Sequence, residues 1–512
     1  MIKRRELSMQ KIILFLSLSI LAIGADKPNI LFIFTDDHAV QSIGVYGSKI
    51  NKTPNIDRIA KEGAIFLNSF CANSICGPSR ACILTGKHSH KNGFMRNGNK
   101  FNGNQFTFPQ VLQKNGYTTA LFGKWHLSSD PTGFDAWEIL PGQGSYYNPN
   151  FYTKDKKTKY TGYCTTIVTD MTLKWLDKER DKSKPFLLMC QHKAPHRSWS
   201  PDLKHLKNYK EDVPEPDTLF DDWQNRSETL AQNTMSIKNH FYWGWDMKFQ
   251  QNVPFERDWT RRLKDGEYKR MTPEQKKEWD AHYKPLNDKF IKDAPKGKDL
   301  VRWKYQRYIK NYLRCIDSVD ENIGRILDYL DKNDLSKNTI VIYSSDQGFY
   351  LGEHGWYDKR WMFEESLKMP FVIRWPGKIK PGTKYKQLIQ NIDYAPTFLE
   401  ACGIKLPEDA NVQGKSFVPL FKNPEAQHRD AIYYHYYEAG GHGVPKHEGV
   451  RDSRYKLINF YANDGYNLFD LEKDPKEMKD FSKNPEYKEI FEKMKDKLEK
   501  IRKKYDAPEL KK

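Results

Sequence analysis

Residues 29–37 read NILFIFTDD, and this stretch decides the fold class. The apolar run within Asn29–Thr35 lacks polar alternation, which is typical of a strand buried on both faces of a parallel sheet. Further strands are predicted at Tyr117–Phe122, Lys184–Gln191 and Thr339–Ser344, and helices between them at Thr53–Gly63, Phe108–Asn115 and Trp303–Leu330. This alternation predicts an α/β fold, in which a large, mainly parallel (mixed) sheet is sandwiched by helices.

The pattern changes twice outside this alternating region. Residues 205–300 are rich in charge, Trp, Asn and Pro, and are interpreted as an irregular insertion within a larger N-terminal domain, residues 26–380. Residues 381–512 are predicted to form a smaller C-terminal α+β subdomain. Its antiparallel strands are predicted at Ala431–Tyr437 and Tyr455–Tyr461, and its terminal helix at Tyr487–Lys504.

The first 25 residues have the layout of a secretory signal peptide. Basic residues from Lys3 to Lys11 precede an apolar run, Ile12–Ile23, which is followed by Gly24 and Ala25. The run is short for a membrane span, and no later stretch is apolar enough to be one. We therefore expect residues 1–25 to be removed and the protein to be periplasmic or secreted, with no membrane span.

The chain is basic, with 84 Lys and Arg against 66 Asp and Glu and a formal net charge of +18. Such a field attracts nucleic acid, anionic membranes and sulfated polysaccharides alike, and it also serves solubility alone. No nucleic-acid-binding signature accompanies the charge, so no nucleic-acid partner is predicted. The seven cysteines are too few for a disulfide scaffold, and their odd number in an exported chain draws attention to one thiol.

Chemically capable side chains follow four of the predicted strands. They are Asp36 and Asp37, then Lys124 and His126, then His196, then Asp346 and Gln347. Each alone has an ordinary structural explanation, such as a helix cap or a buried histidine, but parallel strands bring their carboxyl ends to one sheet edge, where ligands bind. Asp36, Asp37, Asp346 and Gln347 offer only oxygen ligands, which suits calcium better than magnesium or zinc.

The most specific segment is Cys76-Gly77-Pro78-Ser79-Arg80, continued by Ala81-Cys82-Ile83-Leu84-Thr85-Gly86. It resembles the sulfatase signature C-x-P-S-R-x-x-x-L-T-G at every fixed position. Two later segments also resemble this family: one runs from Gly116 to His126, and the other joins Ser345-Asp346-Gln347-Gly348 to the stretch 351–359. The resemblance spans about residues 28–480 and implies an alkaline-phosphatase-like fold, with residues 26–380 as the catalytic domain.

The resemblance also implies the chemistry of the site. In sulfatases a separate maturation enzyme converts the signature cysteine, here Cys76, to Cα-formylglycine (3-oxoalanine). Pro78 places Cys76 at a helix N-terminus, which favours a bound anion. By resemblance, Arg80 holds the diol, Lys124 bridges diol and sulfate, His126 is a base, His196 is an acid and Lys359 contacts sulfate. Asp36, Asp37, Asp346, Gln347 and position 76 would hold one calcium ion; Gln347 departs from the Asn or His often found there.

The substrate implied is a sulfated saccharide. The segment 191–201 resembles bacterial sulfatases acting on host glycans, and the C-terminal stretch resembles the N-acetylglucosamine-6-sulfatase branch. Candidate substrate-binding residues are Ser79, His354, His442, His447 and Arg451. The prediction is a sulfuric ester hydrolase that removes O-sulfate, specifically the 6-O-sulfate of N-acetylglucosamine. Another carbohydrate or aryl sulfatase, a phosphoester hydrolase of the same superfamily and an inactive polyanion-binding protein remain alternatives.

Overall fold

The structure, a computed structural model, describes residues 27–250, 266–463 and 465–510. The predicted signal peptide, residues 1–25, lies outside these ranges. In the described residues no helix is both long enough and apolar enough to cross a bilayer.

A mixed sheet of ten strands forms the centre of the molecule, and the other six strands of the described residues form a two-stranded and a four-stranded sheet. The strands in chain order are β1 (Asn29–Thr35), β2 (Ala64–Phe70), β3 (Thr118–Lys124), β4 (Ala136–Leu140), β5 (Asn150–Tyr152), β6 (Lys157–Lys159), β7 (Phe186–Gln191), β8 (Thr339–Ser345), β9 (Tyr350–Leu351), β10 (Tyr357–Asp358), β11 (Phe371–Arg374), β12 (Thr383–Gln390), β13 (Ala431–Tyr436), β14 (His447–Asp452), β15 (Tyr455–Phe460) and β16 (Gly465–Asp470). The sheet order is β12-β2-β11-β8-β1-β7-β3-β4-β5-β6. Strand β1 is buried along its whole length between the parallel strands β7 and β8.

Helices pack against this sheet, and the described residues form twelve α-helices in all. They are α1 (Pro54–Lys61), α2 (Cys76–Thr85), α3 (Ser89–Asn92), α4 (Phe108–Lys114), α5 (Cys164–Lys174), α6 (Gly266–Arg270), α7 (Pro273–Asp293), α8 (Gly297–Lys332), α9 (Glu364–Leu367), α10 (Tyr394–Ala401), α11 (Val418–Lys422) and α12 (Lys488–Lys504). The 36-residue α8 packs on α1 and α5, while α10 packs on α2 and α4. The predicted α/β class and mainly parallel sheet are confirmed.

The carboxyl ends of the central strands are level, which places the site. Thr35 at the end of β1 pairs with Ser345 at the end of β8, and Phe34 pairs with Gln191 at the end of β7. Gly123, near the end of β3, pairs with Gln191 as well. The polar residues that follow these strands therefore emerge at one edge, as the sequence predicted.

The small C-terminal sheet is antiparallel, in the order β13-β14-β15-β16. Helix α12 packs on it through Met494, Leu498 and Ile501, which contact a cluster that includes Tyr433 and Leu457. The terminal helix and the strands predicted near residues 431 and 455 are confirmed. All seven cysteines are buried free thiols.

Two predicted boundaries differ from the structure. The prediction that residues 205–300 are irregular is wrong for 273–293, which form the 21-residue helix α7. A capping box at Thr272 and Gln275 begins this helix, a local signal that the charge-rich composition obscured. The predicted boundary at residue 381 also differs, because β12, within residues 383–390, pairs in parallel with β2 of the large sheet.

Candidate active site

An acidic cluster lies where β1 and β8 end. The carboxylate oxygens of Asp36, Asp37 and Asp346 lie within 4.8 Å of one another, and all three residues are fully buried. The backbone N–H of Asp37 donates to Asp346 Oδ1 at 3.1 Å, which ties the two strand ends together. Three buried carboxylates this close repel one another strongly unless cations neutralise them.

The donor set fits a hard divalent cation. Burial raises the pKa of Asp37 to about 7; the Lys359 ammonium opposes this shift and the Asp346 carboxylate adds to it. Gln347 donates its amide N–H to Asp37, while its Oε1 atom is buried without a hydrogen-bond partner. An oxygen-only set with one unsatisfied oxygen is the kind that hard cations bind.

Cys76 is the first residue of α2 and points into this cluster. Its Sγ lies 3.3 Å from Asp36 Oδ1, and Cys76, Asp36 and His196 present ligand atoms within 4.8 Å of one another. Burial raises the pKa of the Cys76 thiol to about 12, so at neutral pH it is uncharged. The next residue must be small, because a Cβ at Gly77 would lie 2.6 Å from the Phe94 ring.

Three buried cations face the three carboxylates. Arg80 donates to Asp346 Oδ2 from Nε at 3.1 Å and from Nη2 at 3.0 Å. Lys359 Nζ donates to both oxygens of Asp37, at 2.6 and 2.7 Å, and Lys124 forms an ion pair with Asp36. Burial lowers the pKa of Lys124 well below its usual range. Each buried negative charge thus has a specific positive partner.

Two histidines stand beside this charge network. His126 follows β3 with a left-handed backbone (φ 59°), and its Nδ1 is buried without a hydrogen-bond partner. Burial, with Lys124 and Arg80, lowers the pKa of His126 to about 2. His196 Nδ1 lies 2.6 Å from Arg197 O, and its Nε2 lies 3.8 Å from Asp37 Oδ2. Burial also lowers the pKa of His196, so both imidazoles are neutral at neutral pH.

The candidate metal and catalytic residues therefore meet at one site. The structure brings together Asp36, Asp37, Cys76, Arg80, Lys124, His126, His196, Asp346, Gln347 and Lys359. Their roles in turnover remain predictions.

The five candidate substrate-binding residues differ in their surroundings. Ser79 is buried, donates to Asp346 O and accepts from Asn391 Nδ2 at 2.8 Å. Its hydroxyl has both partners inside the fold, so this environment supports a structural role rather than substrate binding.

His354 belongs to a separate buried ion network. Its Nδ1 lies 3.1 Å from Asp221 Oδ2, and its Nε2 lies 3.7 Å from Glu365 Oε2. Burial by itself lowers the pKa of His354, but the carboxylates of Asp221 and Glu365 outweigh it and raise the pKa to about 9. His354 is therefore a charged structural histidine at neutral pH.

The three C-terminal candidates divide in the same way. His447 is fully buried and stacks on Trp361, with ring centroids 5.5 Å apart. Arg451 pairs with Glu364 at 3.3 Å in a different pocket of about 390 Å³. His442 alone is near the site: Arg360 is the largest cause lowering its pKa to about 4, and Lys359 contributes. The contact role predicted for His447 and Arg451 is not supported by these positions.

Sequence reasoning missed Lys193, Asp358 and Arg360. Lys193 is buried, with Nζ 4.8 Å from the Tyr146 ring centroid, and its charge lowers the pKa values of Lys124 and His196. Asp358 and Arg360 flank Lys359, form an ion pair at 2.7 Å and have positive φ angles of 77° and 93°. Three consecutive charged residues, 358–360, mark this segment in the sequence, but the predicted site included only Lys359.

Comparisons with known proteins agree with this geometry. The chain matches the family described as Sulfatase over residues 28–404, and that described as N-sulphoglucosamine sulphohydrolase, C-terminal, over residues 352–504. It is 45% identical to the N-acetylglucosamine-6-O-sulfatase of Bacteroides thetaiotaomicron over 94% of this chain and 87% of that protein.

Solved structures are similar over nearly the whole length. One is a complex with its substrate D-glucosamine-2-N,6-O-disulfate; it superimposes with a TM-score of 0.90 at 44% identity, over 94% of this chain and 99% of that one. The phosphonate monoester hydrolase of Agrobacterium radiobacter superimposes with a TM-score of 0.64 at 21% identity, over 93% of this chain and 96% of that one. The second likeness concerns the fold alone.

Proposed function

The chain belongs to the sulfatase family and is a sulfuric ester hydrolase, and we propose that it removes the 6-O-sulfate of N-acetylglucosamine or glucosamine units in a sulfated glycan. The 45% identity to an N-acetylglucosamine-6-O-sulfatase supports this substrate. The similarity to a structure that binds a 6-O-sulfated glucosamine also supports it. The family membership agrees with the resemblance found in the signature around Cys76.

One observation carries the mechanistic proposal: a buried, uncharged thiol lies inside a carboxylate cluster at a helix N-terminus. Cys76 Sγ is 3.3 Å from Asp36, and burial raises the pKa of the thiol to about 12. A neutral thiol is a poor nucleophile, because the thiolate is the reactive form. We therefore infer that position 76 acts as formylglycine, made from Cys76 by a maturation enzyme.

Formylglycine and calcium would each supply one part of the chemistry. At position 76, at the start of α2 and beside Asp36, formylglycine would supply a hydroxyl nucleophile in place of the thiol. Calcium held by Asp36, Asp37, Asp346 and Gln347 would supply positive charge toward the sulfate oxygens.

The chain's own cations bind and orient the anionic ester. Lys124 and Lys359 approach the cluster from strand β3 and from the segment after β10, so they can contact sulfate from two sides. Arg80 is fixed by Asp346 and by Lys124 O at 2.7 Å, which holds its guanidinium beside position 76. Fixed charges of this kind stabilise developing negative charge without reorganising during the reaction.

The histidines handle the protons. His126 is neutral and has an unsatisfied Nδ1, so it can accept a proton from the group at position 76. His196 is also neutral in the free protein, and an adjacent sulfate anion raises its pKa and favours the protonated form. From Nε2 it can then protonate the leaving sugar oxygen.

The test pairs Cys76→Ala with Cys82→Ala, since both are buried thiols of helix α2. Purified variants are assayed for sulfate release from 6-sulfated N-acetylglucosamine, 6-sulfated N-acetylgalactosamine, an aryl sulfate and a phosphate monoester. We expect Cys76→Ala to lose turnover by on the order of 10⁴-fold or more, while Cys82→Ala retains it. Peptide mass spectrometry across Cys76 should show formylglycine in active material.

The arms of this test separate the alternatives. Full activity in Cys76→Ala, or an unmodified thiol in fully active protein, would contradict the mechanism. Preference for the galactosamine or aryl ester would contradict the proposed sugar, and preference for the phosphate ester would contradict sulfate specificity.

A further inference from the structure

A second polar site lies on the far side of helix α8 from the active site. A cleft of about 640 Å³ lies between the segment 206–215 and helices α7 and α8. We call it the basic cleft. Helix α8 lines it with Trp303, Gln306, Arg307, Lys310 and Arg314. These positions recur at intervals of three and four residues and so share one helix face.

The opposite face of the same helix meets the active site. Tyr308 Oη donates to Tyr350 O at 2.8 Å, and Tyr312 Oη donates to Asp37 O at 2.7 Å. At about 100° per residue, Tyr312 lies roughly 140° from Arg307 and roughly 160° from Arg314 around the helix. The basic cleft is therefore a separate site, not an extension of the acidic cluster.

The basic cleft has more positive charge than its own carboxylates can neutralise. Of the described residues, seven Lys and Arg side chains and three carboxylates line it. The carboxylates already have cations: Asp212 pairs with Lys310 at 2.9 Å, Asp293 with Lys289 at 2.6 Å, and Glu215 with Arg302 at 3.2 Å. Within the described ranges, no carboxylate lies within 4.0 Å of the remaining cations that line the cleft, Lys207, Lys210, Arg307 and Arg314.

Arg307 and Arg314 are the buried members of this unpaired set, only 7% and 6% exposed. Neither has a carboxylate within 4.0 Å in the described part of the chain. Arg307 donates to Met247 O at 3.2 Å and lies between two rings, 5.3 Å from that of Tyr283 and 4.9 Å from that of Trp303. Buried charges are normally paired directly, so two buried guanidinium groups with no carboxylate within 4.0 Å among the described residues, and with only the more distant Asp317 beside Arg314, indicate an anionic ligand.

Arg314 is held in place and His282 lies nearby. Arg314 donates to Asn208 O at 2.9 Å and to Asn311 Oδ1 at 3.1 Å. His282 Nε2 is buried without a hydrogen-bond partner, and the charges of Arg314 and Arg307 help burial to lower its pKa to about 4. A neutral imidazole with a free ring nitrogen offers a further hydrogen bond to a ligand.

The remaining lining favours a saccharide over a nucleic acid. Beside the cations, the neutral residue Asn208 and the partly exposed Trp303 line the cleft. The three carboxylates can accept hydrogen bonds from sugar hydroxyls, a contact that the phosphates of a nucleic acid, which only accept, cannot make. The combination is that of a site for a ring with both hydroxyl and anionic substituents.

We propose that the basic cleft is a second, non-catalytic binding site for an anionic saccharide, in which a sulfate or carboxylate group pairs with Arg307 and Arg314. Binding there requires no hydrolysis and is independent of the reaction at Cys76. Its catalytic consequence rests on the proposed function: a sulfated polymer held at the cleft has a raised local concentration at the active site of the same chain.

The test uses the full chain with Cys76→Ala, so that the probe is not consumed. The probe is a defined hexasaccharide of sulfated glucosamine and uronate, with its unsulfated counterpart as reference, and binding is measured by calorimetry. One variant is R307Q with R314Q, and a second is K207Q with K210Q at the exposed rim. The charge-matched control is K493Q with K500Q on α12, whose side chains are 71% and 74% exposed.

We expect the parent and the control to bind the sulfated hexasaccharide at the cleft, and both cleft variants to bind there about tenfold more weakly. In the active background, turnover of monosaccharide 6-sulfate should be unchanged by K207Q with K210Q, while KM for the sulfated polymer should rise. If the active-site proposal fails, monosaccharide turnover is lost while cleft binding persists, so the two failures are distinguishable.

Three results would overturn the proposal. One is hexasaccharide binding that persists in both cleft variants, with the rim variant deciding if R307Q with R314Q does not fold. Another is an equal loss in the α12 control, which would assign the binding to diffuse surface charge. The third is displacement of the hexasaccharide by an oligonucleotide of equal charge at equal concentration, which would refute the saccharide assignment.

Discussion

The acidic cluster at the sheet edge and the basic cleft across α8 differ in whether their buried charges have partners of opposite charge. In the cluster every carboxylate has a cation within reach, as with Arg80 and Asp346 at 3.0 Å. In the cleft, Arg307 and Arg314 are also buried but contact carbonyls, an amide oxygen and aromatic rings. Both arrangements lie on one helix, since α8 contributes Tyr312 to the first and Arg307 to the second.

This difference determines how much stability is lost when a charged side chain is removed from each site. A paired buried charge leaves its partner uncompensated when it is removed, and this is strongly destabilising. An unpaired buried charge already carries its desolvation cost, so its removal leaves nothing stranded. The charges of the cluster are therefore paired within the protein, whereas the cleft can take its counter-charge from a ligand.

Among substitutions that leave Cys76 in place, the largest effect is expected at His126, and it is on activity. Because His126 has a left-handed φ of 59°, asparagine is the substitution that its backbone tolerates best. His126→Asn should lower kcat by on the order of 10²–10⁴-fold, the range for a lost acid–base group. The matched control is His354→Asn, at φ 56° and outside the cluster, which should retain kcat. Unchanged kcat in His126→Asn would refute the assigned base.

The second effect is on stability, at Arg80. Arg80→Met strands the buried Asp346 carboxylate and should lower the free energy of unfolding by about 3–5 kcal/mol. Urea unfolding with a chelator present measures this without a bound cation replacing the guanidinium. The control is Arg325→Met, whose guanidinium also makes two hydrogen bonds, to Asn322 at 2.9 Å and to Asp170 at 2.6 Å, but is 39% exposed beside a carboxylate that is 56% exposed. It should cost about 1 kcal/mol or less, and equal losses would contradict the pairing argument.

The third effect is a pH dependence at His354, whose pKa is raised to about 9 by Asp221 and Glu365. A raised folded-state pKa gives stability that is fully present below the unfolded value of about 6.5 and is lost as pH rises through about 9. His354→Asn should remove on the order of 3 kcal/mol of pH-dependent stability across that window.

The matched control for this third effect is His442→Asn, at φ 56°, whose pKa is lowered to about 4. It should leave the slope of stability against pH unchanged between pH 6.5 and 9. Parallel pH profiles for His354→Asn and the parent protein would refute a charged His354.

The residues that meet at the sheet edge could be predicted because local and topological rules coincide there. The run at 29–37 predicts a central buried strand, and parallel neighbours must end at the same edge, so Asp36 and Asp346 meet. The signature at 76–86 likewise predicts a helix N-terminus, and Cys76 begins α2.

The rest depended on long-range packing that no local pattern contains. His447 and Arg451 both lie on strand β14. The groups that they contact, Trp361 and Glu364, lie over 80 residues earlier in the chain. The composition also gave a wrong prediction for residues 273–293. This segment is charge-rich overall, but a capping box and a few buried aromatic side chains such as Trp279 stabilise it as a helix.

The smallest effect is expected at Arg307. It tests most directly the difference between the paired charges of the acidic cluster and the unpaired charges of the basic cleft. Burial lowers the pKa of Arg307 to about 10, so the charged form is already disfavoured, although it persists at neutral pH. Arg307→Met removes that desolvation cost and keeps apolar contact with Trp303, but loses one hydrogen bond to Met247 O. These terms oppose each other, so we expect a net change within about 1 kcal/mol in urea unfolding. A loss as large as that of Arg80→Met would show that Arg307 has a hidden structural counter-charge.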